Sequence, residues 1–275
     1  MKTASSTDPP PAMSPRLIDT HCHVDHLDGD PSLALAEARA LGVGAFVLPT
    51  ITPAMWPSAA ALAAAHPDVH LGLGLHPCAL DDLSDAEVDD ALDDLPRLIA
   101  LHGAVALGEI GLDHRAARDD ERLARQRRVF ERQLTIALEA GLPPIIHCVE
   151  AHGLMLEVWS RHPCGGNLPG VLHAFTGSAE MVARYCRAGL FISFAGPITW
   201  PGALKPAAAC RAVPDDRLLI ETDAPYQSPH PHRGSPNSPD RLPLIAAKVA
   251  EVRGASVDAI AALTTENARR LFGLG

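Results

Sequence analysis

The fold this sequence predicts is a single parallel (β/α)8 barrel, a TIM barrel, with its chemistry at the carboxyl ends of the strands. Three observations lead there. Eight short apolar runs alternate with longer helical patterns between residues 16 and 225, the order of a parallel sheet wrapped in helices. The runs are nearly continuous in apolar residues, as strands buried on both faces are. Histidines or carboxylates stand at the ends of six of the eight runs. A doubly wound open sheet is the main competitor, but no glycine fingerprint follows any run. No linker interrupts the pattern, so residues 17–275 read as one domain.

In order, the strands are "RLIDTHCH" (16–23), "GAFVLPT" (44–50), "VHLGLGLHP" (69–77), "AVALGEIGLD" (104–113), "PPIIHC" (143–148), "GVLHAF" (170–175), "GLFISF" (189–194) and "RLLIETDAP" (217–225). Helices are expected over 31–42, about 53–65, 84–102, 119–141, 150–161, 178–188 and 202–212. Ser84 with Glu87 three residues on is a capping box for the third helix. Acids in the first turn and Gly141 at the end delimit the fourth. A loop rich in Pro and His (226–240) leads to two or three closing helices.

Composition narrows the function. The chain has 275 residues, 47% apolar and 20% charged, with net charge −10. A protein holding nucleic acid by counterion release alone would not carry this balance, so a phosphate-bearing substrate must be held locally, by arginine or metal. Only three of the 23 basic residues are lysine, from which no function is drawn. The cysteines at 22, 78, 148, 164, 186 and 210 form no CxxC pair. They read as reduced thiols in a cytoplasmic protein. Residues 1–16, with four prolines and no apolar core, read as a disordered tail, not a signal peptide. No stretch is long and apolar enough to span a membrane, and a monomer is expected.

The chemistry lies at the strand ends. Residues i and i+2 of a strand share a face, so His21 and His23 point the same way, with Asp19 two residues further back. His76 ends the third strand, Glu109 and Asp113 the fourth, His147 the fifth, His173 the sixth and Asp223 the eighth. A lone strand-end histidine is more often structural. This many polar groups on one rim would cost several kcal/mol each if buried unpaired, and metal ions resolve that cost. The donors exceed what one tetrahedral ion needs and suit two ions about 3.5–4 Å apart sharing a carboxylate. Glu109, between the two histidine sets, is the natural bridge. The cofactor expected is therefore two divalent ions, Mg, Mn or Zn, although imidazole-rich ligation favours Zn, Mn, Fe or Ni over Mg.

The blocks "DTHCHVD", "GLGLHP", "GEIGLD", "PPIIHC", "HAFTGSAEM", "FISFAGPIT", "ETDAPY", "PHRGSPN" and "TTENARRLF" resemble, in order, those of the TatD-type metal-dependent deoxyribonucleases, an amidohydrolase-like family. The resemblance covers residues 17–273. It implies a two-metal centre hydrolysing phosphodiester bonds in DNA. By that resemblance His21, His23 and Asp223 ligate one ion, His147 and His173 the other, and Glu109 bridges them. His76 approaches the substrate phosphate, Arg233 contacts it, and Asp223 also orients the attacking water or takes its proton.

Two positions depart from the family pattern. Ser238 stands where an acidic residue is usual, and His114 replaces an aromatic after "GLD". Among lesser candidates, His230 and His232 read as solvated loop residues. The arginines of "RLARQRRVFERQ" (122–133) read as a solvated helix face, not a nucleic-acid track. Alternation turns Cys22 away from the ligands, and neither it nor Cys148 counts as one. His152 lies on the helix after the fifth strand. Three readings follow: a hydrolase of DNA ends or short single strands, a hydrolase of a small amide or ester on the same barrel, or a binding protein without catalysis. The complete ligand set argues against the last, and Ser238 is its one support.

Overall fold

The computed structural model describes residues 17–275; the expected tail over 1–16 lies outside them. Eight strands form one parallel sheet in the order of the chain: β1 (Leu17–Asp19), β2 (Val43–Pro49), β3 (Val69–Leu73), β4 (Ala106–Asp113), β5 (Pro144–Val149), β6 (Gly170–Leu172), β7 (Leu190–Phe194) and β8 (Leu218–Ile220). The sheet curls into a TIM barrel. Its seam is joined by segments just beyond β1 and β8: Thr20 N donates to Ile220 O, Asp223 N to His21 O, and His23 N to Ala224 O. No helix among the described residues is long and apolar enough to cross a membrane.

Helices α1 (Pro31–Ala40), α2 (Trp56–Ala65), α3 (Asp85–His102), α4 (His114–Ala117), α5 (Asp120–Ala140), α6 (His152–Arg161), α7 (Ala179–Arg187), α8 (Leu204–Ala212), α9 (Leu242–Arg253) and α10 (Val257–Phe272) surround the strands. The capping box of α3 forms as the sequence predicts, and Gly141 ends α5 in the left-handed conformation. Two cores result. Ile18, Val47, Ala106, Ile145, Val171 and Phe191 pack together with Leu219, one from each of seven strands, which only the interior of a closed barrel permits. Leu271 and Phe272 of α10 join this cluster. The larger core, including Phe46, Phe130 and Trp159, lies between strands and helices.

One helix does more than cover the barrel. Gln126 and Gln133 of α5 are seven residues apart, two turns along one face, and both are buried. Gln133 accepts from Leu75 N (2.8 Å) and donates to Leu75 O (3.0 Å). Gln126 does the same for Asp113 N and O, at 2.8 and 3.1 Å. Each amide thus satisfies backbone groups at a strand end and fixes the chain beside His76 and at Asp113.

Candidate metal centre

The sequence places the candidate site residues at strand ends, and the structure refines this. Glu109, Asp113 and His147 lie within strands, whereas His21, His23, His76, His173 and Asp223 follow strands that stop one to four residues earlier. Beyond those ends the backbone leaves extended geometry: Ala174 has φ 43° and Asp223 φ 57°. For residues with a side chain this region is strained. Hydrogen bonds hold both, Ala174 N to Glu221 Oε1 (2.6 Å) and Asp223 N to His21 O (2.8 Å). Gly111, at φ 145°, passes so close to β5 that a Cβ would lie 2.0 Å from His147 O. Only glycine allows that approach, which brings the Glu109 strand against His147.

Asp19 does not join the imidazoles. The chain bends after β1, so strict alternation fails there, and Asp19 accepts instead from Thr222 N (2.9 Å) and Thr222 Oγ1 (2.5 Å) across the seam. Burial pushes its carboxyl up to about 7.

Glu109 is the centre of the arrangement. Its Oε2 lies 3.3 Å from His21 Nε2 and 3.4 Å from His23 Nε2. Its Oε1 lies 2.8 Å from His173 Nε2, 2.9 Å from His147 Nδ1 and 3.2 Å from His76 Nε2. Asp223 Oδ1 is 3.5 Å from His21 Nε2 and 3.7 Å from His23 Nε2, while Gln227 donates to Asp223 Oδ2 at 2.6 Å. The Nε2 atoms of His21 and His23 are 3.0 Å apart, and His147 Nδ1 is 3.2 Å from His173 Nε2.

These separations fit metal ions. Four ligands at about 2.0–2.1 Å around a tetrahedral ion sit roughly 3.4 Å from one another. His21 Nε2 and His23 Nε2 lie 3.0 Å from each other and 3.3 to 3.7 Å from Glu109 Oε2 and Asp223 Oδ1. Glu109 Oε1, His147 Nδ1 and His173 Nε2 form a tighter triangle of 2.8 to 3.2 Å. Facing imidazole nitrogens can share a proton or a cation, and their convergence with Glu109 makes this cluster a candidate site for a cation.

Electrostatics agree with an anion at the centre. Burial opposes ionisation of Glu109, but His173, His76 and His21 outweigh it and hold its carboxyl well below the usual range. Burial likewise opposes charge on His23, His147 and His173, yet Glu109 and its neighbouring carboxylates raise all three, His173 most. Burial lowers His21, and the neighbouring His173 adds to this. Burial also lowers His76, whose Nδ1 accepts from Cys78 N at 3.0 Å. A neutral His76 therefore carries its proton on Nε2, facing the cluster. Asp113, paired with His147 Nε2 at 3.1 Å, is drawn to about 2 despite burial.

A cavity of about 650 Å3 opens onto this cluster, walled by Arg115, Thr176, Trp200, Tyr226 and Gln227 among others. A second cavity, of about 690 Å3 between α2 and α3, is lined mainly by apolar residues and has none of the clustered carboxylates and imidazoles. Arg233 does not line the mouth cavity; its guanidinium stacks on Trp200. His114, His230 and His232 are exposed and do not line it. His152 bonds to Tyr185 Oη at 2.9 Å, and Cys22 donates to Val47 O. Sequence reading passed over Glu221, although it shares the strand-end position of Asp223, and it passed over Arg115, Trp200 and Tyr226. Trp200 and Tyr226 lie outside the helices and strands, and Arg115 lies in the four-residue α4, too short to carry a periodic signal.

An eight-stranded barrel with imidazoles and carboxylates converging at its carboxyl rim is an arrangement suited to a metal-dependent hydrolase. The family model for TatD-related DNases matches residues 18–273, and the chain belongs to the TatD family of metal-dependent hydrolases. It is 34% identical over 263 residues to the uncharacterized metal-dependent hydrolase YabD of Bacillus subtilis, covering 93% of this chain and 98% of that protein. It is 37% identical over 257 residues to the 3'-5' ssDNA/RNA exonuclease TatD of Dickeya dadantii, covering 90% and 93%. The crystal structure of YjjV, a TatD homologue from Escherichia coli K12, superposes with a TM-score of 0.87 at 32% identity, covering 96% of this chain and all of that one.

Proposed function

We propose that this chain hydrolyses phosphodiester bonds of DNA at the Glu109 cluster, acting on short or single-stranded ends with two divalent ions. The observation that carries the reading is the division of Glu109, one oxygen toward His21 and His23 and the other toward His147 and His173. His21, His23, Asp223 and Glu109 would hold one ion; His147, His173 and Glu109 would hold the other. Bound there, such ions supply positive charge to a phosphoryl group and make water a better nucleophile. His76 directs its Nε2–H into the site to donate to a phosphate oxygen. Asp223, steadied by Gln227, accepts the proton of the attacking water.

The family and the exonuclease-named relative support a nucleic-acid substrate. A cavity of this volume falls in the range of small-ligand sites, which suits a strand end and not a duplex. The test is release of mononucleotides from a single-stranded oligonucleotide, with Mg, Mn and Zn each added back to stripped protein. The expected result is metal-dependent release; turnover of an amide or ester panel with no nucleotide release would overturn it.

A further inference from the structure

The mouth cavity has an aromatic wall. Trp200 follows β7 and Tyr226 follows β8, and both line the cavity. Trp56 and Trp159 are buried and donate Nε1 to Gly74 O and Ala188 O. Trp200 is the tryptophan the core does not absorb. Its Nε1 donates to Ser228 O at 2.9 Å, which fixes the ring. The Arg233 guanidinium sits over the ring, 4.3 Å from its centroid, and Arg233 is not one of the residues lining the cavity. Tyr226 is 48% exposed, with its hydroxyl 3.1 Å from His26 Nδ1.

We propose that Trp200 is the base-stacking surface of this site, with Arg233 behind it, so that a nucleobase flanking the scissile phosphodiester lies on the indole. This rests on the phosphodiester reading. An indole held at one edge by a hydrogen bond loses little freedom on stacking, and every base presents a π-face, so the site accepts any sequence. The ring stands at the mouth of the cavity whose floor carries the Glu109 cluster. A phosphodiester at that floor leaves its adjoining base at the wall. Arg233 thus serves the substrate through Trp200 and not as a direct phosphate ligand.

The test titrates the whole protein into a dye-labelled, phosphorothioate-linked tetrathymidylate, which resists cleavage, and into an abasic tetramer of the same backbone, with affinity read from the anisotropy of the label and base contact from tryptophan quenching by the unlabelled tetramers. Wild type should bind the thymidylate with quenching and the abasic tetramer about tenfold or more weakly, without it. Trp200→Ala should bind both tetramers alike, Trp200→Phe should keep most of the preference for bases, and Arg233→Ala should lose only a few-fold. Equal binding of both tetramers by wild type, or an undiminished preference in Trp200→Ala, would overturn the stacking role. A parallel hydrolysis assay on a cleavable oligonucleotide separates the two ideas. Hydrolysis without base-dependent quenching removes only the stacking role, and quenching without hydrolysis removes only the phosphodiester reading.

Discussion

Two regions of this molecule are dense in charge, and they are built on opposite plans. Along the outer face, arginines of α5 meet acids of α3 and of the loops beside it. Arg125 pairs with Asp85 at 2.8 Å, Arg122 with Asp81 at 3.1 Å, and Arg132 with Asp89 and Asp93 at 2.6 Å each. At the barrel mouth, buried Glu109 faces five imidazoles, and imidazoles face one another. The outer pairs balance locally, in water, and are worth little each. The mouth balances only with protons or a cation. The arginines of the basic run 122–133 are therefore paired with neighbouring acids, whereas the imidazoles at the mouth share one central carboxylate.

The sharpest way to break this comparison is Asp223→Asn. It keeps the shape but removes the carboxylate proposed to take the water's proton. It should lower kcat by about a hundredfold or more, with a much smaller change in KM. Folding and the proposed binding of an ion by His147 and His173 should survive. Near-normal kcat at full metal content would move the base elsewhere, with Asp113 and His76 next to examine.

A second test concerns protons. The carboxylate neighbours of His23, His147 and His173 raise them above the ordinary imidazole value, so the ion-free cluster keeps its protons to higher pH than free imidazoles would. A cation must displace them. Metal binding should release protons and weaken as pH falls, with the release shrinking as pH rises through the raised values. Calorimetry in buffers of different ionisation enthalpy measures it, and proton-neutral binding near pH 6.5 would contradict the assignment.

The smallest effect is expected on the outer face. Arg132→Ala should cost under about 1 kcal/mol of stability, and less at high salt. Turnover and affinity for a short oligonucleotide should stay at wild-type values. A large loss of DNA affinity would reopen the α5 face as a binding surface.

The barrel was legible because strands buried on both sides leave apolar runs, and the rim was legible because His76, His147 and His173 interrupt such runs at their ends. Where each strand stops was not. β6 ends at Leu172 and β8 at Ile220, short of the runs through Phe175 and Pro225. Ladder pairing depends on neighbouring strands as well as on local composition. The Asp19–Thr222 bond joins residues 203 apart, and alternation could not foresee the bend that makes it possible. The four-residue α4 escaped notice too. Asp113, read only as site chemistry, also caps it by accepting from Ala116 N at 2.8 Å. The aromatic wall sits on loops, where sequence periodicity is silent.

The central claim is that one carboxylate, Glu109, ties together two metal sites. Its most direct test is elemental analysis of wild type, Glu109→Ala and His147→Ala, each purified without chelator, with folding checked by circular dichroism. The account predicts two ions per chain in wild type, loss of both in Glu109→Ala and retention of about one in His147→Ala. A folded Glu109→Ala protein that keeps two tightly bound ions would contradict it.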